Sequence, residues 1–518
     1  MLQQFADDFL PMLQLKPAPT ISRQLGLFSL LLVSIVSLLF SSPKAEAQDS
    51  VQPLPTAIEQ LLKQSGLPRT ALHLSVIPTR QGDAVIAFQE TEPVSPASTM
   101  KLVTTQAALD LLGPQFRWKT QLLSSVPVVK ERLKGDLIIK GGGDPDLTWE
   151  KFASILRQLR QQGLRDIHGD ILLDRSYFQP QRPELNAPAF DDNPDAYYNV
   201  IPDALLIHSN LTAINLSADQ ERIQTQLLTP SSNITLRPQL KLNNAPCNQW
   251  KNGWRSPQIK ISEDAYSDAA GHIEINLQGS FPRSCQTTVY LNLLERNAYI
   301  AKLFRALWTE LGGTWKGKIR DGSVPENALP LLTHESATLA DTLKIVNKAS
   351  DNVMARIVFM TLAAESKFET AADQTNPDSA LRASQLVRQW LEQQGIDAKG
   401  FAIENGSGLS RTDRISTQQL AQILRRAAQS NWYPEFATSL PIVGIDGTMH
   451  KRLKDSVAQA RSRIKTGYLK NAIAIAGFVR DTQGNDMIVV AILNAEDLTV
   501  AQGKPLLDGI IAWLANGR

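Results

Sequence analysis

The sequence predicts an α+β protein whose main sheet is assembled from the two ends of the chain, with a β-rich region inserted between them. Two strand–turn–strand patterns, one near each terminus, predict the sheet, because short apolar runs joined by a polar turn fold as hairpins. From about residue 118 to about residue 330, brief β-rich runs punctuated by Pro, Asn and Gly predict the insertion. At 518 residues the chain exceeds one hydrophobic core, so two or three domains are expected. Its 43% apolar and 20% charged residues are those of a folded chain rather than a disordered one.

Residues 1–47 read as an address rather than as fold. Lys16 and Arg23 precede the apolar run "LGLFSLLLVSIVSLLF" from Leu25 to Phe40, and Ala45 and Ala47 follow as small residues suited to a cleavage site. The expected outcome is export to the periplasm or cell envelope. The run's 16 residues fall short of the roughly 20 that span a membrane. The alternative is an uncleaved anchor, which would hold the protein peripherally at the membrane. Asp7 and Asp8 lie in an unusually long stretch before the run, which suggests a true start downstream of Met1.

The remaining elements follow in order. "ALHLSVI", "PTRQGD" and "AVIAFQE" make a hairpin over about residues 71–89. "STMKLVTTQAALDLLGP" then reads as a helix with Ser98 in its first turn, Val103, Ala107 and Leu111 on one face, and a stop at Gly113-Pro114. Strand-like runs in the insertion are "GDLIIKG", "GDILLD", "TAINLSA" and "HIEINLQG". Helices flank "SDN" at Ser350 to Asn352, and "RIKTGYLK" leads into a second hairpin, "AIAIAGFVR", "DTQGN", "DMIVVAILN". A final amphipathic helix covers about residues 501–516. The domain reading is therefore a leader at 1–47, a split main domain at 48–118 and 331–518, and one or two inserted β-rich domains at 119–330.

Composition excludes several functions. Lys and Arg number 53 against 51 Asp and Glu, a net charge of +2 that the leader's three basic and three acidic residues do not change. No concentrated basic face is present, so nucleic acid is not an expected partner. Cys247 and Cys285 stand 38 residues apart without a second Cys or His pair at ligand spacing, so no metal and no cofactor is expected. In an exported chain they favour a disulfide, worth roughly 3–4 kcal/mol in the chain-entropy account. Two buried free thiols are the alternative.

Three short strings carry the chemistry: Ser98-Thr-Met-Lys101, Ser350-Asp-Asn352 and Lys465-Thr-Gly467. Ser-x-x-Lys also occurs at Ser41 and at Ser462, so spacing alone does not single out Ser98. Its order and context do: a helix start, a loop between helices, and a strand. A serine hydroxyl becomes a nucleophile when a neighbour takes its proton, and a lysine does so only when burial or a nearby cation lowers its pKa. Lys101 lies one turn from Ser98, and Lys465 supplies such a cation. Each string alone reads as a cap, a turn and a strand end.

Together the strings resemble the motif set of penicillin-binding proteins and serine β-lactamases. The chain looks most like the D-alanyl-D-alanine carboxypeptidase/endopeptidase family, the class C low-molecular-mass penicillin-binding proteins. Supporting stretches are "GDLIIKGGGDPDLT", "DNPDAYYNVIPDALLIHSN", "ENGSGLSRTDRIS" and "GIDGTM", and the 252 residues from Ser98 to Ser350 match that family's inserted domains. The resemblance implies a transpeptidase-like fold, an antiparallel sheet flanked by helices. It also implies an exported serine DD-peptidase acting on peptidoglycan stem peptides and cross-bridges, with β-lactams as acylating inhibitors.

It assigns Ser98 as the acylated serine, Lys101 as its base, and Ser350 and Asn352 as further catalytic groups. Lys465, Thr466 and Gly467 would bind substrate, and Arg411 would read a diaminopimelate carboxylate. Asp192, near Tyr198, would take the amino group, although the alignment across Asp191 and Asp192 needs a one-residue gap. Tyr468 departs from the Thr or Ser usual after Lys-Thr-Gly; its backbone N–H still suits an oxyanion hole. Two competing readings are a serine β-lactamase and a catalytically weak wall-binding scaffold. "RPELN" mimics a β-lactamase loop, but Arg182 stands where that loop needs its glutamate.

Overall fold

The computed structural model describes residues 53–262, 271–366 and 378–518; the predicted leader lies outside them. Helix α1 (Thr56–Ser65) precedes the first hairpin, β1 (Leu72–Pro78) and β2 (Ile86–Phe88). Helix α2 (Lys101–Leu112) follows a 3-10 turn at Ala97–Met100. Past the insertion come α3 (Asn352–Ala364) and α4 (Thr417–Gln429). The chain ends with β3 (Ser462–Leu469), β4 (Ala472–Arg480), β5 (Asp486–Asn494) and α5 (Val500–Ala515). The five strands form one antiparallel sheet in the order β3-β4-β5-β1-β2. Its centre joins the two ends of the chain, Leu72 opposite Leu493 and Pro78 opposite Met487.

The central strands are apolar on both faces, because both faces are covered. Ala474, Ala476, Ile488, Val490 and Ile492 pack with α2, α3 and α4. The alternate residues Ile473, Ile475, Val489 and Leu493 pack with α1 and α5. A β-strand's two-residue period separates these sets, and each fully buried Ile or Val contributes about 1.5–3 kcal/mol.

The insertion has its own hydrophobic core. It contains a five-stranded sheet that includes Leu137–Lys140 parallel to Ile171–Asp174, and smaller sheets built from the later runs. Two helices, Trp149–Gln161 and Arg296–Glu310, lie among these strands. In the first, Phe152, Ile155, Leu156 and Leu159 share one buried stripe at helical spacing, and the Thr148 side chain caps its start. Cys247 and Cys285 form a disulfide. Phe178, Val200, Leu206 and Leu211 pack on Val353 and Ile357 of α3, and so join the insertion to the helix that begins at Asn352. Among the described residues, no helix is long and apolar enough to cross a membrane.

Candidate active site

The Ser98 turn is held on the sheet by its neighbours. Ser95 N–H donates to Asn494 Oδ1 at 2.9 Å and Asn494 Nδ2 donates back to Ser95 O at 3.0 Å, which fixes the turn to the end of β5. Gly467 of β3 lies directly against the turn: a Cβ there would sit 2.9 Å from Ser98 N and 2.8 Å from Pro96 O. The sequence placed this glycine among the substrate-binding residues; the close approach of the serine turn is a second reason for glycine here. Ala97 (φ 46°) and Ser350 (φ 60°) both occupy the left-handed region, strain of order 1–3 kcal/mol each that the surrounding packing must hold.

Lys101 is fully buried. Its Nζ donates to Ser98 Oγ at 3.0 Å, to Asn352 Oδ1 at 2.7 Å and to the Ser407 carbonyl at 2.5 Å. Burial, then the charge of Lys465, holds the Lys101 ammonium well below its ordinary pKa range. Lys465, also fully buried, donates to Ser350 Oγ at 2.7 Å and to Thr466 O at 2.8 Å, and burial lowers its pKa to about 7. Asn352 reaches Lys101 because Asp351 caps α3, accepting from Met354 N–H at 2.9 Å. Such a cap contributes about 1 kcal/mol.

Sequence reasoning missed three contributors. Ser407 acts through its carbonyl, in a loop anchored where Thr104 Oγ1 donates to Gly406 O at 2.7 Å. Gly408, with φ 78°, lets that loop pass the turn, because a Cβ there would lie 1.9 Å from Ala97 O. Thr448, from "GIDGTM", shares a 2.8 Å hydrogen bond with Thr466 through their hydroxyls.

A cleft of about 1030 Å³ is lined by Ser98, Asn352, Asp191, Asp192, Tyr198, Arg411 and Tyr468. Tyr468 is 59% exposed at its edge. Arg411 donates to Phe190 O at 3.1 Å and lies 5.3 Å from the centre of the Phe190 ring. Tyr198 pairs with Asp191 rather than Asp192, its hydroxyl donating at 2.8 Å, and Asn199 Nδ2 donates to the same carboxylate at 2.8 Å. Although burial acts the other way, these hydrogen bonds hold Asp191 below the usual carboxylate range. Arg182 stands away from Ser98, paired with Glu184, Glu295 and Asp321. Among the described residues no group of His, Cys, Asp and Glu has a metal-binding arrangement.

A buried, deprotonatable lysine against a serine at a helix start, facing an edge strand with a second buried lysine, defines a serine-type enzyme of the penicillin-binding class. The family profile of the D-Ala-D-Ala carboxypeptidase 3 (S13) family matches residues 54–516, and the chain belongs to that family. It is 26% identical to the D-alanyl-D-alanine carboxypeptidase DacB of Haemophilus influenzae over 77% of this chain and 80% of that one. To the D-alanyl-D-alanine carboxypeptidase of Actinomadura sp. (strain R39) it is 25% identical over 82% of this chain and 78% of that one. The crystal structure of penicillin binding protein 4 (dacB) from Haemophilus influenzae superposes with a TM-score of 0.70 at 25% identity. That match covers 88% of this chain and 99% of the other, so the α+β fold with extra domains is shared.

Proposed function

We propose that this serine D-Ala-D-Ala carboxypeptidase works through an acyl-enzyme on Ser98. The observation that carries the assignment is the 3.0 Å contact between Ser98 Oγ and a lysine whose burial favours the neutral amine. Lys101 takes the hydroxyl proton as Oγ attacks the penultimate D-alanyl carbonyl. The Ser98 and Tyr468 backbone N–H groups hold the oxyanion. Ser350 gives its proton to the leaving amine and recovers one from the lysine pair. Water then hydrolyses the ester, and Ser98 is regenerated.

Lys465 and Thr466 take the terminal carboxylate. An arriving anion stabilises the ammonium of Lys465, and that charge keeps Lys101 neutral, so substrate binding itself sorts the protons between the two lysines. Arg411 would take a side-chain carboxylate of the stem peptide, and Asp192, whose carboxylate has no hydrogen-bond partner among the described residues, its amino group. A 790 Å³ cavity shares Phe190 and Arg411 with the cleft, room that supports an added endopeptidase action on cross-bridges. The substrate is then peptidoglycan, with β-lactams as inhibitors acylating Ser98. Export by the leader to the periplasm or cell envelope fits this substrate, and so does a division into a split catalytic domain and inserted domains at 119–330.

The test uses the wild type and Ser98→Ala with a fluorescent penicillin and a D-alanyl-D-alanine peptide. Stable labelling and D-alanine release, both lost in the variant, are expected. Rapid loss of label would favour a β-lactamase, and an unlabelled wild type would sink the assignment.

A further inference from the structure

The middle residue of Ser350-Asp-Asn352 has a partner outside the three motifs. The Tyr197 hydroxyl, carried by a short turn at Tyr197–Asn199 in the insertion, donates to Asp351 Oδ2, while Asp351 Oδ1 accepts from Met354 N–H at the start of α3. Tyr197 also packs into the hydrophobic cluster that joins the insertion to α3. Two independent contacts, one polar and one apolar, therefore tie the inserted segment to the helix that presents Asn352 to Lys101.

Asp351 matters electrically as well as mechanically. The charged groups that face Lys101 are Lys465 and Arg356, which disfavour its ammonium, and Asp351 and Asp413, which favour it. Those that face Asp351 are Lys101 and the like-charged Asp146 of the insertion. Burial already pushes the Asp351 carboxyl up, so it keeps its charge only with hydrogen-bond donors to stabilise it. The Tyr197 hydroxyl is one such donor, and the α3 backbone supplies the others.

We propose that Tyr197 is a positioning residue: through Asp351 it holds the start of α3 and maintains a negative charge beside Lys101, so that the insertion sets the pH at which Ser98 becomes reactive. The inference rests on the reading of Lys101 as the base of Ser98. Its sign follows from the charges. Without the phenol donor, Asp351 binds a proton more readily. Lys101 then loses a favourable anion, sheds its own proton at lower pH, and acylation begins at lower pH.

The experiment measures the second-order rate of labelling by a fluorescent penicillin as a function of pH. In Tyr197→Phe the acidic limb is expected to move down by about half a pH unit or more. Asp351→Asn, which keeps a good helix cap but removes the charge, should move it the same way. In the double variant the second change should add no further shift, since both act through one carboxylate. An unmoved limb with a rate lowered equally at all pH would reduce Tyr197 to packing and overturn the proposal. An upward shift, or fully additive shifts, would overturn it too. A wild type that takes no label would sink the Ser98 reading itself; normal labelling with an unmoved limb sinks this inference alone.

Discussion

Lys101 and Lys465 are both fully buried, yet their ammonium groups reach different serines, Ser98 at 3.0 Å and Ser350 at 2.7 Å. Two cations so placed compete for one charge, and acylation needs Lys101 neutral while Lys465 stays protonated. The rate should rise as pH passes the lowered value of Lys101 and fall as Lys465 deprotonates at about 7. A bell-shaped profile of kcat/KM, which reports the free enzyme, is expected. In Lys465→Arg the guanidinium does not titrate in this range, so the alkaline limb should vanish whatever the remaining activity.

Besides Ser98, Asn352 is a side-chain acceptor that orients Lys101, at 2.7 Å in a buried site. Removing the partner of a buried polar group leaves that group unsatisfied, at a cost of about 1–3 kcal/mol. Asn352→Ala should therefore slow penicillin acylation roughly ten- to hundredfold, measured by stopped-flow labelling. Asn352→Asp keeps the shape but adds an anion, holds Lys101 protonated, and should move the acidic limb to higher pH.

Gly467→Ala would put a methyl group 2.9 Å from Ser98 N and 2.8 Å from Pro96 O, backbone atoms that cannot swing aside as a flexible side chain does. Strand β3 and the serine turn must then separate. Because β3 is an edge strand, the expected result is a loss of kcat/KM of about a hundredfold or more with a shift in melting temperature of only a few degrees.

Arg411 should sort substrates rather than drive the reaction. Peptides with and without a carboxylate on the third-residue side chain should differ by about tenfold in kcat/KM, the worth of one charge-assisted hydrogen bond. Arg411→Ala should equalise them while the rate of penicillin labelling stays within a few-fold. Equal values for the two peptides in the wild type would remove Arg411 from specificity.

The parts of this protein that were legible in its sequence are those where residue type dictates role. The β4–β5 hairpin and the closing helix appeared in their expected places because their apolar patterns leave few other folds. Lys101 lies within hydrogen-bond reach of Ser98 and Asn352, and Lys465 within reach of Ser350, residues that the three strings of the sequence had singled out. The Ser407 contact with Lys101 was not legible, because a backbone carbonyl carries no mark of residue type. Nor was the choice between Asp191 and Asp192, where loop geometry alone gives Tyr198 to the first. The helix at Trp149–Gln161 was legible in principle, but its 3.6-residue period is flanked by strand-like runs that dominated the reading.

The hydrogen bonds between Ser95 and Asn494 cross 399 positions of chain. During synthesis the serine-bearing helix therefore leaves the ribosome long before the strand it docks on exists, and β1 must wait with an open edge until β5 arrives. Contacts of such long range form late and slowly. A nascent chain stopped before Asp486 would carry every motif of the active site and still lack the floor beneath it. The delay makes activity wait for the whole chain, because the site is complete only once its last strand has been made.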